Sequence, residues 1–161
     1  DDLQGGIVAV PAATFLAADE LPRAGGQALA VPLSDEDLKD KRLLCFAHRC
    51  WRPGMHPDVS TNLKLRWMKQ VLNSLVDQEG LLLESVYVWV DYCSVDQDHP
   101  QAEHIAWQAL PALVARATYF VVLETDRAGN SDGALDFARV RNCIFVSRLM
   151  FTRGIYTATY V

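Results

Sequence analysis

Val86-Tyr87-Val88-Trp89-Val90-Asp91-Tyr92 sets β-branched and aromatic residues side by side and then stops on an acid. That crowding is the composition of a β-strand, and the charge marks its exit to water. Moving upstream, Leu43-Leu44-Cys45-Phe46-Ala47 is a short apolar run held between Arg42 and His48-Arg49, the pattern of a strand buried on both faces. Downstream, Tyr119-Phe120-Val121-Val122-Leu123 is a third such run, stopped by Glu124. Between the first and second strands, Leu63, Trp67, Val71 and Leu75 trace a helical stripe that Leu65, Met68, Leu72 and Val76 widen. Ser60 or Thr61 can cap this helix, and Gly80 closes it. Between the second and third, Pro100 suits the first turn of a helix with Ile105, Ala109 and Leu113 on its apolar face, and Pro111 imposes a bend near Trp107. Strand, helix, strand, helix, strand at these spacings calls for parallel pairing, hence an α/β sheet layered with helices.

The chain divides into an irregular N-terminal wrapping arm, 1–41, and an α/β domain, 42–161. Pro11, Pro22, Pro32 and Gly25-Gly26 cut the arm into short pieces, with a short helix around 35–40 opened by Ser34 and the acids after it. Beyond the third strand, the sequence reads as a loop over 126–133, a helix over 134–141 and a fourth strand over Cys143 to Val146, with the domain open to truncation at its carboxyl end. The first residue is not Met, which points to a piece of a larger protein.

With 161 residues, 50% hydrophobic, the chain has material for one substantial core. Fifteen Lys and Arg against twenty Asp and Glu leave a net charge of -5, which disfavours a broad grip on nucleic acid or anionic lipid. A small molecule or another protein is the expected partner. The apolar runs are too short for a membrane span, no signal-peptide start is present, and four irregularly spaced cysteines read as reduced thiols in an intracellular, cytoplasmic setting.

In a parallel sheet, ligands bind beyond the carboxyl ends of the strands. His48, Arg49 and Trp51 follow the first strand, Asp91, Tyr92 and Asp96 the second, and Glu124 the third; these are the candidate ligand-binding positions. Trp51 offers a stacking surface, while Trp67, Trp89 and Trp107 read as core. Asp91 needs partners to offset desolvation, either backbone donors in its own turn or a ligand. Cys45, His48, Cys50 and His56 do not form a convincing zinc set, because strand alternation sends Cys45 and His48 to opposite faces. Cys143 and Arg148 are one residue short of a cysteine-phosphatase loop. His48-Arg49 occupies the place where a receiver domain would carry acids for magnesium, and a glycine-rich phosphate loop is missing after every strand.

Ala47-His48-Arg49-Cys50-Trp51 and Val88-Trp89-Val90-Asp91-Tyr92-Cys93-Ser94-Val95-Asp96-Gln97 resemble the S-H-x-W and L-W-I-D-x-x-C-I-x-Q signatures of heterokaryon-incompatibility (HET) domains and related TIR-like proteins. His56-Pro57-Asp58 before the long helix also fits that group, and the resemblance spans Leu43 to Glu124. It implies a three-layer flavodoxin-like (TIR-like) fold with a parallel central sheet. It also implies immunity-type or stress signalling through association with like or unlike protein partners, without a required cofactor. In some relatives it implies cleavage of the nicotinamide bond of NAD. Two departures bear on that activity. Ala47 stands where the signature has Ser, and the stretch Ser147 to Gly154 aligns with S-R-x-W-C-x-x-E so that Met150 replaces Trp and Gly154 replaces the glutamate. A carboxylate is needed to stabilise the cationic transition state, so an NAD glycohydrolase here would require Glu124 or Glu103 as the catalytic acid. A purely structural domain of a larger protein is the remaining alternative.

Overall fold

The computed structural model describes residues 7–25, 29–48, 58 and 61–123, together with the backbone of 143–147 and 159–160; His48, Ala102, Glu103, Ala106 and Val122 are described by their backbone alone. In chain order the elements are β1 (Ile7–Pro11), α1 (Ala12–Ala17), β2 (Val31–Leu33), α2 (Asp37–Asp40), β3 (Arg42–His48) and α3 (Leu63–Glu79). A 3-10 turn (Leu83–Ser85) follows, then β4 (Val86–Val90), α4 (Asp91–Ser94), α5 (Ala102–Arg116), β5 (Tyr119–Leu123), β6 (Cys143–Ser147) and β7 (Thr159–Tyr160).

The chain is mixed α/β. Its sheet has the order β2-β1-β4-β3-β5-β6-β7. The centre is parallel as the sequence pattern requires: β3 pairs with β4, Phe46 opposite Val90, and with β5, His48 opposite Leu123. Thr118 locks the start of β5 to β3, its N–H donating to the Leu43 carbonyl at 2.8 Å and its Oγ1 accepting from the Leu43 N–H at 3.2 Å.

The flanks differ from expectation. β1 runs antiparallel to β4, β2 antiparallel to β1, and the expected fourth strand, β6, lies antiparallel to β5. The N-terminal arm is therefore not an irregular wrap. Its apolar run Ile7-Val8-Ala9-Val10 extends the sheet, and its prolines sit where a strand tolerates a missing donor: Pro11 at the strand end leading into α1, Pro32 on the edge strand β2. The arm is also tied to α3, since the Asp19 carbonyl accepts from Asn62 Nδ2 at 2.7 Å and the Ala18 carbonyl accepts from Lys69 Nζ.

Alternation along the strands divides the core in two. Leu44, Phe46, Val86, Val88, Val90 and Val121 face α3 and α1, against Leu65, Met68, Leu72 and Phe15. Leu43, Cys45 and Trp89 face the other way, toward Leu113 and Ala117 at the end of α5 and Leu33 of β2.

Helix ends are set by more than the nearest hydroxyls. α3 begins after Asn62, which adopts a left-handed conformation with φ 52°, and two of its first donors go to Asp58; Ser60, one of the expected caps, lies outside the described residues. The buried Asp58 carboxylate accepts from the Lys64 N–H at 3.0 Å and from the Leu65 N–H at 2.9 Å. Gly80, at φ 62°, closes the helix as its sequence position implies. At α2, Ser34 and Asp37 form a reciprocal box: Ser34 Oγ accepts from the Asp37 N–H at 3.1 Å, and the Asp37 carboxylate accepts from the Ser34 N–H at 3.0 Å. α5 continues through Pro111 to Arg116, and Trp107 on it is 66% exposed, so it does not belong to the core. Among the described residues, no helix is long and apolar enough to cross a membrane.

Candidate functional site

Parallel pairing brings the ends of β3 and β4 together, and with them the backbone of His48 and the turn that begins at Asp91. Beyond the matched pair Phe46 and Val90, β3 continues in extended form to His48, while the chain after β4 turns at once into the single helical turn α4. Asp91 opens that turn. Its Oδ1 accepts from the Tyr92 N–H at 2.7 Å and its carbonyl accepts from the Val95 N–H at 2.9 Å. Gln97 clasps the same turn from the far side, its Nε2 donating to the Val95 carbonyl at 2.7 Å and to the Asp91 carbonyl at 3.2 Å. Asp91 and Tyr92 are half-buried, and both are further engaged.

Cys93 of the second signature contributes to architecture. Cys93 is buried beneath the turn, and burial, followed by the nearby Asp91 carboxylate, pushes its thiol far above the ordinary range. Cys45 in β3 is likewise pushed up by burial, to about 12. Neither supplies a thiolate nucleophile at neutral pH. Burial also raises the Tyr92 phenol, with Arg23 partly opposing it.

The arm reaches this turn, a role that sequence reasoning missed. The Ala24 N–H donates to the Tyr92 carbonyl at 3.0 Å, and Arg23 grips the Asp98 carboxylate through both terminal nitrogens at 2.9 and 2.7 Å. Gly25 sits at φ +96°, and a Cβ there would come within 2.8 Å of Asp96 Oδ1. Gly25, readable in the sequence only as punctuation, thus marks a close approach between arm and signature loop. Asp96 itself is exposed, and its Oδ1 accepts from the Asp98 N–H at 3.0 Å.

Of the other expected site residues, Arg49, Trp51 and Glu124 lie outside the described residues, as does the aligned stretch around Gly154. Glu103 is in the first turn of α5, with its side chain outside the description. Among the described residues, no three His, Cys, Asp or Glu side chains gather to hold a metal ion.

A second feature lies on the α5 face and shares Asp96 with the expected strand-end site. A cavity of about 740 Å3 opens between β1, β2, α5 and the loop after α4. Ile7, Leu33, Trp89, Val95, Ile105 and Leu113 give it apolar walls; Ser94, Asp96 and His99 line one part, and Asp35, Asp37 and Arg116 another. Asp35 and Arg116 are paired there, Nε donating to Oδ1 at 2.7 Å. His99 Nδ1 accepts from the Gln101 N–H at 3.1 Å, which leaves the neutral ring's proton on Nε2. Sequence reasoning missed the cavity because it is enclosed by an N-terminal strand pair and a helix far apart in the chain. No protein-family model, curated protein or solved structure matches the chain.

Proposed function

We propose that the chain is a TIR-like or HET-like signalling domain that acts by associating with itself or a partner and binds a nucleotide at the carboxyl ends of its central strands. The observation that carries the reading is the adjacency of the two signatures: His48 ends β3, Asp91 begins α4 at the end of neighbouring β4, and the strands are parallel. The order β4-β3-β5 supports it further, because the chain leaves β3 for one side and returns to the other, and a crevice for ligand opens where the connections diverge. Helices on both faces of the parallel strands fit the three-layer, flavodoxin-like arrangement that this reading carries, although the antiparallel flanks are an elaboration of it.

Calorimetric titration of NAD and of ATP against the protein and its Asp91→Asn variant tests the proposal, with sedimentation to follow assembly and nicotinamide release to follow turnover. The expected result is saturable nucleotide binding, weakened by Asp91→Asn in a variant that still melts cooperatively, and a population of oligomers. Unchanged affinity together with a large loss of stability would assign Asp91 to architecture alone and overturn the strand-end site. Nicotinamide release would convert the reading to an NAD glycohydrolase and require an acid in place of the glutamate missing at Gly154.

A further inference from the structure

The cavity on the α5 face has the size and lining of a ligand site. At about 740 Å3 it lies within the range of roughly 300–1,000 Å3 that small-molecule pockets occupy, and apolar walls with a few converging polar groups are their usual makeup. Its polar groups are specific in sign. Of the three carboxylates that line it, Asp35 is paired with Arg116 and Asp37 with Lys41, which leaves Asp96 as the one with no ion pair among the described residues. An anionic ligand would meet the Asp96 carboxylate, while Arg116 and Lys41, the cations beside the cavity among the described residues, are already engaged. Ser94, which lines the same cavity, has a buried hydroxyl without a hydrogen-bond partner among the described residues. That oxygen is closed off from solvent, so the polar end of the cavity is carried by Asp96 and His99.

We infer that the cavity between the β1–β2 pair and α5 binds a small, neutral or cationic aromatic molecule, its ring against Ile7, Pro32 and Ile105 and its polar end at Asp96 and His99. This ligand class differs from the anionic nucleotide expected at the strand ends, and the two sites meet at Asp96, in the loop after α4. The arm contributes Leu33 and Ile7 to the walls, so the site is built only when β1 and β2 have joined the sheet.

A matched pair of fluorescent probes tests the inference on the intact chain: N-phenyl-1-naphthylamine, which is neutral, and its 8-sulfonate, which has the same rings and a negative charge. The expected result is one-to-one saturable binding of the neutral probe, at least about tenfold tighter than the sulfonate. Backbone amide shifts on binding should gather at Ser94 to His99 and along the inward side of α5. Ala109→Phe and Ala112→Phe, each filling the cavity from α5, should weaken the neutral probe by about tenfold or more. Absence of saturable binding, equal affinity for the two probes, or amide shifts away from the cavity would overturn the inference. If either phenylalanine variant fails to fold, the amide shifts of the unaltered chain decide the matter.

Discussion

The two faces of the sheet are covered by different means. On one, α3 presents Leu65, Met68 and Leu72, all buried, and α1 adds Phe15, and these side chains pack with the valines of β4. On the other, α5 offers Ala109 and Ala112 in its middle and leaves Leu113 and Ala117 to seal one end. A methyl group cannot span the distance that a leucine spans, and the remainder is the cavity of about 740 Å3. The comparison separates two uses of a helix on a sheet. α3 supplies stability, whereas α5 gives up packing and so creates room for a ligand.

The largest effects should fall on the filled face. Val88, fully buried at the centre of β4, faces α3, and Val88→Asp would place an unpaired charge there at a cost of about 3–5 kcal/mol. Reversible denaturation giving a loss below about 1 kcal/mol would remove Val88 from the core and with it the parallel pairing of β3 and β4. Matched leucine deletions sharpen the contrast. Leu72→Ala opens a new void in a packed region and should cost about 3–4 kcal/mol, while Leu113→Ala enlarges a space that exists and should cost nearer 2 kcal/mol. Equal losses from denaturant midpoints would mean that the two faces are packed alike.

How far the sequence discloses these differences depends on whether the signal is local. The strands β3, β4 and β5 and the helix α3 are legible because each is a continuous run of apolar or periodic residues. β1 was hidden: four apolar residues ending in Pro11 are too short to stand out, and only pairing with β4, far along the chain, makes them a strand. The Trp-Asp-Cys-Gln signature was visible as spacing, but its structural content was not. Gln97 binds two carbonyls of the turn, and Cys93 fills the space beneath it. Trp107 misleads in the opposite sense. Its type suggests core, yet its position on α5, two residues from inward-facing Ile105 and Ala109, turns it to solvent.

Helix capping provides a smaller test of the same contrast. Asp58 takes two of the exposed N–H groups at the start of α3, whereas α5 starts at Gln101 without a side-chain cap. Asp58→Ala should cost about 1–2 kcal/mol, measured as a shift of the denaturation midpoint at unchanged slope. Hydrogen exchange should quicken at Lys64 and Leu65, with α5 unaffected. Exchange that rises equally in both helices would show that α3 and α5 open together and are not independently secured.

The smallest effect belongs to the cavity side and depends on pH. Asp37 lines the cavity and is held well below its ordinary value of 3.8, first by the hydrogen bond from Lys41 Nζ at 2.8 Å and then by the Ser34 backbone and hydroxyl. Lys41 is raised in return, mainly by the same contact, and also lies 5.1 Å from the centre of the Tyr87 ring. Because the folded carboxyl is depressed, its contribution is complete above the unfolded value and disappears as pH falls through the lower folded one. Exposure and salt screening keep it modest. Asp37→Asn should therefore melt below the parent at neutral pH, with the gap closing as the solution is acidified past 3.8 and narrowing at high salt. A gap that stays constant into acid would mean that the box with Ser34 acts through shape and neutral hydrogen bonds alone. The charge of Asp37 would then lend this wall of the cavity no stability.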